Sequence, residues 1–441
     1  MSALSVGIAL FAGMLALMAL RVPIAIAMFV AGAIGYVAQA SPDALLNHLK
    51  GLAYARLSVH DLSVIPLFLL MGQFATQGGL SKALFSLANA LIGHLRGGMA
   101  MAAILACAVF GSICGSSVAT AATVTQVALP EMRRHGYSGR LATATLAAGG
   151  TLGILIPPSV VLVVYCILTE QNIAKLFAAA FIPGFLAAAL YLAAIAIYVK
   201  LYPDHGPATE RHGRAELLAA LRGVWPIMAI FLLMFGGIYG GWFTPTEGAA
   251  VGAASTLIVA LAMRELDTAG LMRCFYGTAV TTGMIFMIFL GADMLNSALA
   301  LSQMPAQFAK AVAGSNLPPL AVVLGILAFY LLLGCVMDEL AMILLTIPVI
   351  FPAVMGLELY GLGVTQKAIW FGILVLCVVE VGLIAPPVGL NVYVVNSYAR
   401  DVPMAETYRG VIPFLAADAV RIALLITFPA LSLWLVGVLV P

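Results

Sequence analysis

The chain has 441 residues, 63% of them hydrophobic and only 9% charged, where a soluble domain carries about 25% charged residues. This excludes a soluble, secreted or disordered protein, and a net charge of +2 offers no field for binding nucleic acid. Six cysteines (Cys107, Cys114, Cys166, Cys274, Cys335, Cys377) lie scattered in apolar runs without CxxC spacing, so they read as small buried hydrophobes rather than disulfides or zinc ligands.

Stretches free of Asp, Glu, Lys and Arg cover 1–20, 22–42, 62–81, 97–130, 141–169, 176–199, 223–246, 248–263, 274–292, 311–337, 340–357, 381–399 and 422–441. Most match the ~20 residues that cross a hydrocarbon core. The first run lacks the basic region and cleavage site of a signal peptide, so it reads as a helix of a chain that starts near Met1. The polar segment 43–58 reads as an interfacial helix, and 79–96 and 294–312 as further segments lying flat.

Two stretches do not fit single spans. Run 97–130 is too long for one helix and carries Gly111-Ser112-Ile113-Cys114-Gly115-Ser116-Ser117 in its middle. Small polar sequence at membrane depth is tolerated only where protein buries it or a cavity borders it. The pattern predicts a re-entrant hairpin with half-helices 99–110 and 118–130. Segment 319–353 repeats the plan, with its tip at Gly334-Cys335-Val336-Met337-Asp338-Glu339. Each hairpin is followed by a helix broken at a double proline, Pro157-Pro158 and Pro386-Pro387, which removes backbone donors and unwinds the span. These matched features imply an internal repeat offset by ~225 residues, a pattern that marks transport sites. The expected fold is therefore an all-α polytopic membrane protein of two repeats. Its sections are 1–98 (scaffold and arm), 99–200 (hairpin, broken helix, closing helix), a connector 201–222, then 223–318 and 319–441 as their counterparts.

Basic loops set the orientation. Arg133, Arg134 and Arg140, the 200–222 connector, Arg264 with Arg273, and Arg400 with Arg409 are all expected in the cytoplasm. The resulting trace puts both termini outside and inverts one repeat relative to the other. Lys50 and Arg56 fall on the outer side and count against it.

Unwound membrane helices offer backbone carbonyls to hard cations such as sodium. The tip Ser112–Ser117 facing Gly153–Pro158 makes one such cage, and Gly334–Asp338 facing Gly382–Val388 its twin. Half-helix N-termini near Ser117 and Asn391 would turn positive dipole ends toward an anion, so a carboxylate is the expected substrate, faced by Ser116, Ser117, Pro158, Ser159 and Asn391. Asp338, Glu339 and Glu380 could each hold an ion or a proton, or simply pair with backbone donors. Asp418 and Arg421 are spaced to form an ion pair, and Glu247 suits the first turn of a helix.

With these residues the chain resembles the large membrane subunit of tripartite ATP-independent periplasmic (TRAP) transporters, over nearly its whole length. The resemblance rests on Ile65-Pro66-Leu67-Phe68 with Gly78-Gly79, Gly115-Ser116-Ser117-Val118-Ala119-Thr120, Gly136-Tyr137, Ile156-Pro157-Pro158-Ser159, Leu176-Phe177 with Pro183-Gly184, Thr244-Pro245-Thr246-Glu247, and Ala385-Pro386-Pro387-Val388-Gly389. It implies a sodium-driven, elevator-type transporter of the bacterial inner membrane. An organic acid would arrive from a periplasmic binding protein, and a small four-helix membrane subunit would complete the complex. Carried over by position, a first sodium site would use Ser112, Cys114, Ser117, Gly153, Ile156 and Pro158. A second would use Gly334, Gly382, Ala385 and Val388, with Asp338 as a substitute ligand. Cys114 and Ala385 depart from the serine and threonine that family members often carry, which removes a hydroxyl at each site. The nearest rival is a stand-alone carboxylate carrier of the same superfamily, sodium- or proton-coupled. No HExxH, GxSxG or P-loop motif supports an enzyme.

Overall fold

The computed structural model describes residues 3–211, 213–314 and 317–440 and contains helices and no strand among them. Helices α1 (Ala3–Ala19) and α2 (Ile24–Gln39) open the chain. Helix α3 (Pro42–Leu57), capped by Ser41, buries no side chain, as an interfacial segment requires. The chain then bends by 58° into α4 (Val64–Gln77). Helix α5 (Leu80–Ile92) is amphipathic and buries Leu80, Leu84, Phe85 and Ala88.

The first hairpin is α6 (Gly98–Cys114) and α7 (Ser117–Arg134), the broken helix is α8 (Gly139–Leu155) with α9 (Val160–Thr169), and α10 (Ile173–Leu201) closes the set. Helices α11 (Arg214–Tyr239), α12 (Pro245–Ala262) and α13 (Thr268–Leu301) follow, then the short α14 (Met304–Ala313). The second set repeats the first: hairpin α15 (Pro319–Gly334) and α16 (Glu339–Met355), broken helix α17 (Val364–Gly382) with α18 (Leu390–Tyr398), and closing helices α19 (Met404–Thr427) and α20 (Ala430–Leu439). Among the described residues seven helices are long and apolar enough to cross a bilayer, or eight if the bent α3–α4 pair counts as one span.

Glycine sets the closest packing outside the breaks. A Cβ on Gly32 of α2 would stand 2.5 Å from the Leu295 nitrogen of α13, and one on Gly291 would stand 2.3 Å from the Ala25 carbonyl oxygen. Backbone contact of this kind is how membrane helices associate without a hydrophobic driving force.

Three sequence expectations need correction. The first tip is shorter than Gly111–Ser117, because α6 stays helical to Cys114 and only Gly115 and Ser116 lie between the helices. Residues 294–301 do not lie flat: α13 continues through them, because the charge of Asp293, which ended the apolar run, is paired with Arg56. The last apolar run, 422–441, is not one span; α19 spans 404–427 and Phe428-Pro429 separates it from α20. The connector 201–222 is helical from Arg214 onward.

The loops around residues 133–140, 205 and 400–406 lie against one another. Arg133 pairs with Asp401, Arg140 with Glu406, and the Ser138 N–H donates to the His205 carbonyl at 3.0 Å. Arg56, one of the two positive charges that opposed the orientation, is offset by Asp293 and stacks over the Phe289 ring at 5.4 Å.

Candidate functional site

Helix ends meet at two places. At the first, Gly115 takes φ +64°, a left-handed turn open to glycine, and ends α6. Ser116 caps α7 by accepting from the Ala119 N–H, and Ser159 caps α9 by accepting from Leu162. The hairpin tip lies on the helix break: a Cβ on Gly111 would be 2.5 Å from Gly153 Cα, and one on Gly115 would be 3.5 Å from the Pro158 carbonyl oxygen. Only the absence of side chains at 111 and 153 permits that approach.

Ser112, Cys114, Ser117, Gly153, Ile156 and Pro158 are all buried at this junction. The Ser112 hydroxyl donates back to the Val109 carbonyl at 2.7 Å. The hydroxyls of Ser117 and Thr120 are buried without a partner, and Thr120 Oγ1 is 2.8 Å from where a Gly153 Cβ would sit. Buried polar atoms are normally satisfied, so these two oxygens stand out at the junction. Thr120 was not among the sequence candidates; its place three residues into α7 gives no signal until Gly153 is known to face it.

At the second junction α15 and α17 end against each other. A Cβ on Gly382 would stand 2.6 Å from the carbonyl carbon and 2.9 Å from the oxygen of Gly334. Asp338 caps α16, accepting from the Leu340 N–H at 3.2 Å. Ala385 is buried, whereas Pro386 and Pro387 are exposed. Both double prolines contain a cis peptide bond. The Tyr408 hydroxyl, from α19, donates to the Val388 carbonyl at 2.6 Å, so one lone pair of this expected ligand is already engaged. Nothing in the sequence marks Tyr408, which lies twenty residues downstream.

The junctions adjoin. Glu339 at the second tip is buried beside Ser117 at the first. Asn391, in the first turn of α18, is buried against α8, where its Nδ2 donates to the Ala147 carbonyl at 3.2 Å and its Oδ1 has no partner. Ser116, Ser117, Pro158 and Ser159 thus belong to the first junction, and Asn391 reaches it from the second repeat.

Behind the junctions lies a charge cluster. Arg421 Nη2 sits 2.8 Å from both Glu380 Oε2 and Asp418 Oδ1, and the Tyr191 hydroxyl donates to Asp418 Oδ2 at 2.8 Å. The Asp418–Arg421 pair follows from its spacing, and Glu380, for which the sequence left open an ion- or proton-carrying role or a structural one, is an ion-pair partner of Arg421 in this structure. Glu247 closes a capping box with Thr244, the structural role expected of it.

A family model described as "Tripartite ATP-independent periplasmic transporter, DctM component" matches residues 11–431. The chain belongs to this family. It is 37% identical over 376 residues to a C4-dicarboxylate TRAP transporter large permease of Pseudomonas aeruginosa, covering 85% of this chain and 86% of the relative. An isethionate TRAP transporter permease of Oleidesulfovibrio alaskensis is 30% identical over 417 residues, covering 94% of this chain and 64% of that longer protein. A sialic acid TRAP transporter permease of Haemophilus influenzae is 29% identical over 97% of this chain and 68% of its own length. Among solved structures, the YdaH transporter of Alcanivorax borkumensis shares the fold with a TM-score of 0.65 at 13% identity, over 90% of each chain. The TRAP permease is accordingly a multi-pass membrane transporter subunit and not an enzyme, one component of a tripartite system.

Proposed function

We propose that the chain carries out sodium-coupled uptake of a small organic acid across the bacterial inner membrane, with both termini periplasmic. The observation that carries this reading is the pair of glycine-to-glycine junctions, Gly111 with Gly153 and Gly334 with Gly382, each bringing a hairpin tip onto a broken helix. Carbonyls and the unpartnered Ser117 and Thr120 hydroxyls would hold one sodium at Ser112, Cys114, Ser117, Gly153, Ile156 and Pro158. A second would lie at Gly334, Gly382, Ala385 and Val388, with Asp338 close by. The carboxylate would lie between them, against Ser116, Ser117, Pro158, Ser159 and Asn391, at the positive ends of α7, α9 and α18. The dicarboxylate and sialic acid named for two relatives carry the same group.

A periplasmic binding protein would deliver the substrate, and a small four-helix subunit would dock on the scaffold. An apolar strip on α13, formed by Met272, Tyr276, Val280, Met284 and Met287, is exposed and suits that contact. The hairpins and broken helices would travel as one inverted-repeat unit, because exposing freed carbonyls to lipid costs several kcal/mol for each group. Sections 1–98 and 223–318 would supply the fixed scaffold.

The test is uptake into liposomes. Initial rate against sodium concentration is expected to be sigmoidal; a hyperbola, or undiminished uptake in potassium with only a proton gradient, refutes two-sodium coupling. Separately, omission of the binding protein or the small subunit is expected to remove uptake. Full-rate transport of free substrate by this chain alone would favour the stand-alone carrier.

A further inference from the structure

Helix α16 contains Pro348, which has no N–H to offer the carbonyl four residues earlier, that of Leu344. Leu344 is fully buried, so water does not supply the missing donor. The donor comes instead from the long helix α13: Asn296 Nδ2 lies 3.3 Å from the Leu344 oxygen. Among the described residues no other hydrogen bond joins α13 to either helix of the second hairpin. The Asn296 Oδ1 is itself buried and unpartnered, so the amide is held for its donor alone.

The same stretch of α13 is fixed on its other flank. Asp293 pairs with Arg56, and the Ser297 hydroxyl meets His48 Nε2 at 3.2 Å, so two side chains tie α3 to α13. The segment 293–297 therefore belongs to a rigid α3–α13 body, and Asn296 is its one polar hold on the hairpin.

We propose that Asn296 is a conformation-dependent latch, which stabilises the hairpin in the position seen in this structure and releases it when α16 slides along α13. The inference rests on the reading that the hairpin moves against α13. Moving one helical turn, 5.4 Å, already breaks a bond of this length. The Leu344 carbonyl then loses its donor in an apolar setting, so the latch weights one end of the transport cycle over the other. A hydrogen bond of this kind is worth about 0.5–1.5 kcal/mol, or about 2–10-fold in the ratio of the two positions.

The test is a double-mutant cycle on the reconstituted full chain, read by the fraction of a cysteine at position 336 that an impermeant maleimide labels. Val336 is exposed at the hairpin tip, while the six native cysteines are buried. Asn296→Leu, which removes the donor at similar volume, is expected to shift the labelled fraction about 2–10-fold away from the present position. Pro348→Ala restores an N–H to α16 and satisfies Leu344 within its own helix, so Asn296→Leu in that background is expected to shift nothing further. A role confined to folding would lower the thermal midpoint in both backgrounds and leave the labelled fraction unchanged, and that result overturns the latch. Equal shifts in both backgrounds also overturn it. A cross-link between α13 and α16 separates the two readings: if it stops uptake while the cycle shows no coupling, only the latch fails, and if uptake survives it, the moving-hairpin reading fails and the latch with it.

Discussion

Alanine at Gly382 is expected to remove most sodium-dependent uptake while leaving the protein folded in the membrane. The added Cβ would stand 2.6 Å from the carbonyl carbon and 2.7 Å from the Cα of Gly334. Both are backbone atoms, so no side chain can swing aside, and the second hairpin tip must retreat from the broken helix. Strain from overfilling a packed site amounts to about 1–3 kcal/mol. Charged to the ion-loaded state, it corresponds to about a 5–150-fold loss of sodium affinity. Gly325→Ala is the control, because Gly325 lies on α15, the helix that ends at Gly334, but its Cβ would meet nothing within 4 Å. Uptake and its sodium dependence should be unchanged there. If Gly382→Ala transports at the parental rate with the parental sodium dependence, the second junction is not an ion site.

The parts of this molecule that break a local rule were the parts legible in its sequence. A double proline after glycine has few structural meanings inside a bilayer, and two of them following two small-residue tips located both broken helices to within a few residues. The helix ends at Cys114 and Gly334 were harder to fix, because a glycine-rich stretch can stay helical until one glycine turns left-handed. At the first tip that is Gly115 alone.

Charge misled where it was neutralised at a distance. One apolar run ends before Asp293 and another begins after Arg421, yet both charges lie inside long helices. Their partners Arg56 and Glu380 are 237 and 41 residues away, and no periodicity links residues across such separations. The same distance hides Tyr408 from Val388 and Thr120 from Gly153. Candidate ligands supplied by backbone were found because glycine and proline announce the backbone. Candidate contacts supplied by side chains from other helices were not.

The buried cluster allows the roles of Glu380 to be separated. Arg421 is fully buried and its Nη2 serves both carboxylates. Arg421→Met would leave Glu380 and Asp418 facing each other without a cation in a setting that excludes water. Breaking a buried pair by deleting one partner costs about 3–5 kcal/mol, a large fraction of the 5–15 kcal/mol by which folded proteins are held. The variant is therefore expected to melt far below the parent or fail to accumulate in the membrane. Glu380→Gln acts in the opposite way: the Asp418–Arg421 pair and the Tyr191 hydrogen bond remain, and the neutral amide keeps the shape of the side chain. If Glu380 is a structural partner, Glu380→Gln should transport close to the parental rate, and a triple variant with Asp418→Asn and Arg421→Met should recover much of the stability lost by Arg421→Met alone. If instead Glu380 carries an ion or a proton through the cycle, Glu380→Gln should stop uptake in a protein of undiminished thermal stability. Measuring uptake and melting on the same three variants decides between a charge that holds the broken helix α17 to the closing helix α19 and a charge that moves with the substrate.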